Sequence, residues 1–142
     1  MKLYRYKDLK IRQKEKFIKI TSSNDLEKFI KLSGDNSLIH ANKKFAKKNG
    51  FKNKVFHGAY IASLFSRLIG TQLPGKYGLL LFIEIKFSKP LYENTKIIIS
   101  GEVIKKHNHL KCVDIILIAR SKKTLIARGS STVKLFLWKK IF

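Results

Sequence analysis

Apolar and polar residues alternate from Lys16 to Ile20, and this two-residue period predicts a strand. The period then lengthens. Leu26, Phe29, Ile30 and Ser33 keep helical spacing, and Gly34 stops the run. Thr21, Ser22 and Ser23 offer N-caps for this helix, with Asp25 and Glu27 in its first turn. Asp35 to His40 reads as a loop. Ala41 to Asn49 reads as a short helix with Phe45 and Ala46 inward and Gly50 at its C-terminal end. From Ala59 to Gly70 the chain is apolar nearly all round, which predicts a helix buried on most sides. Gly58, Ala59, Ala62, Ser63 and Ser66 are small, so a sheet can approach this helix closely.

Pro74-Gly75 predicts a turn, and strands fill the rest of the chain. They run from Leu79 to Phe87, Lys96 to Lys106, Leu110 to Arg120 and Thr124 to Phe136. His107-Asn108-His109 and Ser121-Lys122-Lys123 read as turns between them. Connections this short make neighbouring strands antiparallel. The expected class is α+β: a curled antiparallel sheet of about five strands, its apolar face covered by the buried helix. With 142 residues and no linker or repeat, one domain over 1–142 is expected.

Composition narrows the function classes. No apolar run approaches the roughly 18 residues of a membrane span, and the N-terminus lacks a signal-peptide core, so a cytoplasmic protein is expected. Cys112 is the only cysteine, which excludes an internal disulfide and a cysteine metal site. Its neighbours Val113, Ile115 and Leu117 point to a buried strand position. The net charge of +22 raises nucleic-acid binding as a possibility. Against it, the basic residues are nearly all Lys, spread along the chain, with Arg only at positions 5, 12, 67, 120 and 128. Arg is the residue suited to bidentate phosphate and base contacts. A basic face could instead attract phosphate-bearing coenzyme A or an acidic acyl carrier protein.

The chemistry-bearing residues cluster in order. Ser33-Gly34-Asp35-Asn36-Ser37-Leu38-Ile39-His40 is followed by Phe45-Ala46, Phe51, Val55-Phe56-His57-Gly58, Ala62-Ser63-Leu64-Phe65-Ser66 and Leu73-Pro74-Gly75. Ile85-Lys86-Phe87-Ser88-Lys89-Pro90 continues the series. This series resembles the MaoC-like (R)-specific enoyl-CoA hydratases, whose signature is roughly Gly-Asp-x-Asn-Pro-[Ile/Leu]-His-x-Asp. The resemblance runs from about Asp8 to Leu135. Gly34, Asp35, Ile39 and His40 match in register, while Ser37-Leu38 replaces Asn-Pro and Asn42 replaces the second Asp. The lost Pro should loosen the loop, and Ser37 can still hydrogen-bond within it as Asn would.

The resemblance implies a hot-dog fold and a lyase that interconverts trans-2-enoyl and (R)-3-hydroxyacyl thioesters of coenzyme A or acyl carrier protein. Asp35 and His40 are then the catalytic pair, jointly holding one water; a carboxylate and an imidazole suit the two proton transfers. The backbone N–H of Gly58, at a helix start, would meet the thioester oxyanion. Ser63 either touches substrate or is small for helix–sheet packing. His57 either positions the turn or joins Gly58 and Ser63 in binding substrate. Tyr60, Phe65 and Phe82 line an acyl tunnel or fill the core. Arg67 pairs with an acid or faces a partner. The resemblance also implies a homodimer or higher even oligomer, no metal and no cofactor, and a place in metabolism of the fatty-acid type. Two rival functions stand beside it: a hot-dog acyl thioesterase, and a non-catalytic acyl-carrier or nucleic-acid binding module.

Overall fold

In the computed structural model, which describes residues 1–136, five strands form one antiparallel sheet in the order β1-β3-β4-β5-β2. They are β1 (Lys14–Ile20), β2 (Gly78–Phe87), β3 (Lys96–His107), β4 (Cys112–Ser121) and β5 (Thr124–Leu135). Residues 137–142, included in the expected domain, lie outside the described residues. From Lys96 to Val103 in β3 and from Val113 to Ala119 in β4 every second residue is buried, among them Ile97, Ile99, Val103, Val113, Ile115, Leu117 and Ala119. That alternation gives the sheet one apolar face. Register shifts at Leu80/Phe82, Val103/Lys105 and Ala119/Arg120 add local twist and help the sheet curl.

Four helices accompany the sheet: α1 (Ser23–Ser33), α2 (Leu38–Ala41), α3 (Lys43–Lys48) and α4 (Gly58–Thr71). The apolar helix α4 fills the curl. Its Tyr60, Ile61, Leu64, Phe65, Leu68 and Ile69 are buried, following helical spacing. Gly101 on β3 sets how closely α4 sits, because a Cβ there would fall 2.8 Å from Leu68 Cδ2. This is the hot-dog arrangement that the resemblance implies.

The helix is less enclosed than its composition predicts. Ala59, Ser63, Ser66, Arg67 and Gly70 lie exposed along one side of α4 within the protomer. The neighbouring edge strand β2 likewise exposes Leu79, Leu81, Phe82 and Phe87. Arg67 places its guanidinium 4.2 Å from the centroid of the Phe17 ring. Phe65 and Tyr60 belong to the core, whereas Phe82 is more than half exposed.

Three local expectations are corrected. Phe45 is exposed at 40%, while Ala46 alone in α3 is buried, since adjacent helical residues point about 100° apart and only one of the two faces inward. The Asp35–His40 segment is not all loop, since Leu38–Ala41 closes one helical turn. His107 ends β3 instead of starting a turn, and its Nε2 lies 2.8 Å from Asp114 Oδ2 on β4. Cys112, the first residue of β4, is buried as expected.

Candidate active site

The site begins at the end of α1. Ser22 caps this helix in a reciprocal box with Asp25, and Gly34 ends it in the left-handed region at φ 73°. That conformation, which glycine adopts without a Cβ penalty, turns the chain abruptly into Asp35. The Ser37 N–H donates to Asp35 Oδ1 at 3.1 Å, and the Ser37 hydroxyl donates to the same oxygen. An Asp side chain accepting from the backbone two residues on is an Asx-turn, which replaces the rigidity a Pro would supply. Asp35 Oδ1 is thereby occupied, and Oδ2 faces two imidazoles.

His40 lies in the single turn of α2. Its Nδ1–H donates to the Val55 carbonyl at 2.6 Å, which leaves Nε2 as the lone-pair nitrogen. His40 Nε2 stands 3.9 Å from Asp35 Oδ2. That separation is too long for a direct hydrogen bond and short enough for one water to contact both atoms. The Asp35 side chain is 51% exposed and that of His40 is 15% exposed, so the carboxylate opens outward while the imidazole is walled in.

The segment entering α4 is pinned on two sides. Val55 N–H donates to Ile39 O at 3.1 Å, and Phe56 N–H donates to Leu91 O at 2.8 Å. These bonds bring His57 beside the Asp35 loop, where its Nε2–H donates to the Asp35 carbonyl at 2.8 Å. His57 Nε2 also lies 3.7 Å from Asp35 Oδ2. The His57 and His40 rings stack with centroids 3.7 Å apart and planes 23° apart. Gly58 follows as the first residue of α4, where a backbone N–H has no acceptor within the helix. A Cβ at Gly58 would fall 2.8 Å from the Phe87 ring, so the glycine permits close contact between the start of α4 and the end of β2.

Electrostatics keep Asp35 ionised. The hydroxyl and then the N–H of Ser37 hold its carboxyl below the usual carboxylate range; burial opposes them slightly, and His57 and His40 add to the lowering. The structure therefore brings Asp35, His40, His57 and Gly58 into one cluster. Ser63 lies about a turn and a half further along α4, with its hydroxyl donating to Tyr60 O at 2.6 Å and its residue surface exposed. Ligand atoms of Asp35, His40 and His57 all lie within 4.8 Å of one another. A metal ion there would have to compete for His57 Nε2 with its bond to the Asp35 carbonyl.

Sequence reasoning missed the Val55 carbonyl, which selects the His40 tautomer, because a backbone acceptor leaves no side-chain signal. It also missed the close stacking of the two histidines. The role of Ser37 was readable, since Asp-x-Ser is Asx-turn spacing.

The family model described as "MaoC like domain" matches residues 8–122. The chain is 31% identical over 86 residues to the 3-hydroxybutyryl-CoA dehydratase of Methylorubrum extorquens, covering 61% of this chain and 55% of that protein. It thus spans about half the length of that curated relative. It is 32% identical over 95 residues to the (R)-specific enoyl-CoA hydratase of Aeromonas caviae, covering 67% of this chain and 71% of that one. The solved structure of the (R)-hydratase from A. caviae involved in PHA biosynthesis matches with a TM-score of 0.86 at 28% identity, over 90% of this chain and 98% of that chain.

Proposed function

The chain belongs to the MaoC-like domain family, and from that premise we propose that it is a hydro-lyase interconverting trans-2-enoyl and (R)-3-hydroxyacyl thioesters. Asp35 and His40 are its catalytic pair. The observation that carries this reading is the 3.9 Å gap between Asp35 Oδ2 and His40 Nε2. One water in that gap donates a hydrogen to each acceptor and keeps a lone pair for C3 of the enoyl group. As its oxygen bonds to C3, one proton passes to the pair and the C2–C3 π electrons shift onto the thioester oxygen. A proton then returns from the pair to C2, and the carbonyl re-forms. Dehydration runs the same steps backwards.

The enolate oxygen needs a donor that is already in place. Gly58 supplies a backbone N–H at the positive end of α4 and follows His57, which is bonded to the Asp35 carbonyl. Donor and base are therefore held by one short stretch of chain. No step in this scheme calls for a cofactor.

The substrate is a thioester of coenzyme A or of an acyl carrier protein, and the net charge of +22 favours either anionic carrier. We read 1–142 as one domain acting in the cytoplasm; the continuous core cluster among the described residues supports the former. We also read the protein as a homodimer or a higher even oligomer. The exposed Leu79, Leu81 and Phe82 of edge strand β2 support this, since an unpaired apolar edge invites a second copy.

The test follows loss of the enoyl absorbance with crotonyl-coenzyme A and longer substrates, alongside release of free thiol. Hydration without thiol release is expected, and Asp35→Asn and His40→Ala should each abolish it with the fold intact. Thiol release from wild type would point to hydrolysis instead. Normal hydration in both variants would remove the assigned pair.

A further inference from the structure

His57 is the one buried titratable side chain of the cluster that the reaction scheme leaves unused. Only 4% of its side chain is exposed. Nε2 is committed to the Asp35 carbonyl at 2.8 Å. One ring face is covered by His40 at 3.7 Å between centroids, and the Phe29 ring lies 5.1 Å away by the same measure. Nδ1 is buried and has no hydrogen-bond partner among the described residues. No atom of the ring is thus left free to reach a substrate.

The unpaired Nδ1 makes the choice of residue informative. A buried acceptor without a donor is unfavourable, and an apolar ring would fill the same space without that cost. What a phenyl ring cannot supply is the Nε2–H. From this we infer that His57 is a positioning residue: its Nε2–H anchors the backbone of Asp35 while its ring backs the imidazole of His40, so one side chain sets the spacing of the pair. This rests on the hydratase reading for its kinetic consequence, but not for its geometry.

The two actions separate in three variants. His57→Gln keeps an N–H near the position of Nε2 and loses the stack. His57→Phe keeps a ring against His40 and loses the donor. His57→Asn loses both. A small misplacement of reacting groups costs about 10²-fold in rate, so His57→Asn should lose about that much kcat with KM unchanged. Gln and Phe should each recover about tenfold, the worth of one retained contact. A raised KM with wild-type kcat would mean a substrate contact instead, and wild-type kcat in all three would also overturn the role. Circular dichroism checks that each variant folds.

A second arm needs no substrate. Imidazole nitrogen NMR of the wild-type protein at neutral pH should show His57 protonated at Nε2 and bare at Nδ1, and His40 the reverse. The opposite tautomer at His57 would sink the inference, whatever the enzyme assay gives. If wild type hydrates no enoyl thioester, the proposed function falls and this arm alone decides the role of His57.

Discussion

His40→Asn separates the two nitrogens of the His40 ring, assigned to the proposed pair. In wild type, Nδ1–H bonds Val55 O at 2.6 Å while Nε2 faces Asp35 Oδ2 at 3.9 Å. The Asn side-chain amide sits close to the position of Nδ1, so it can still donate to Val55 O. Nothing in Asn reaches the position of Nε2. In the proposed scheme the water keeps Asp35 and loses its second acceptor. Loss of a positioned acid–base group lowers the rate by about 10²–10⁴, which is about 3–5 kcal/mol of barrier. The effect on stability should be far smaller. The bond to Val55, worth about 1 kcal/mol, survives. The stack on His57 is lost, which costs about 0.5–1.5 kcal/mol. His40→Ala loses both contacts and should be less stable than His40→Asn by about 1 kcal/mol. The assays are enoyl absorbance for kcat and urea titration for stability. An Asn variant keeping more than about a tenth of wild-type kcat would refute Nε2 as the acid–base atom.

Other consequences follow from specific contacts. Gly101→Ala places a methyl 2.8 Å from Leu68 Cδ2 and 3.1 Å from Ile115 Cγ2, both in the core. It should destabilise by about 1–3 kcal/mol, read as a lower urea midpoint at unchanged m-value. Ser37→Ala removes the largest influence holding the Asp35 carboxyl below its ordinary range. The Asp35 carboxyl should therefore titrate at higher pH, followed by carboxyl carbon NMR, and an unmoved titration would contradict the assigned hydrogen bond. Burial pushes the Tyr60 phenol up to about 12, with Asp25 adding and Arg67 opposing. The unfolded chain then loses that proton first, near pH 10. Stability linked to Tyr60 is present below about pH 10 and is lost as pH rises toward 12. Tyr60→Phe should flatten that alkaline fall in urea midpoint.

The parts governed by local periodicity were legible from residue order alone. Alternation fixed the strands of the sheet to within a few residues, and helical spacing with Gly34 bounded α1. The ordered residues from Gly34 through Gly58 carried the family. Elements governed by a few contacts were harder to read. Helix α2 is one turn long, too short for periodicity to register. Phe45 faces outward beside the buried Ala46, because neighbouring helical residues point about 100° apart and this short helix buries only one of them.

How the site residues act on one another depends on long-range folding. Asp35, His40 and His57 are separated along the chain, and they are drawn together by Val55 bonding Ile39, Phe56 bonding Leu91 and His57 bonding the Asp35 carbonyl. The tautomer of His40 depends on the Val55 carbonyl, a group every residue carries. Backbone acceptors and packing distances are properties of the folded chain, and residue identities do not encode them one at a time.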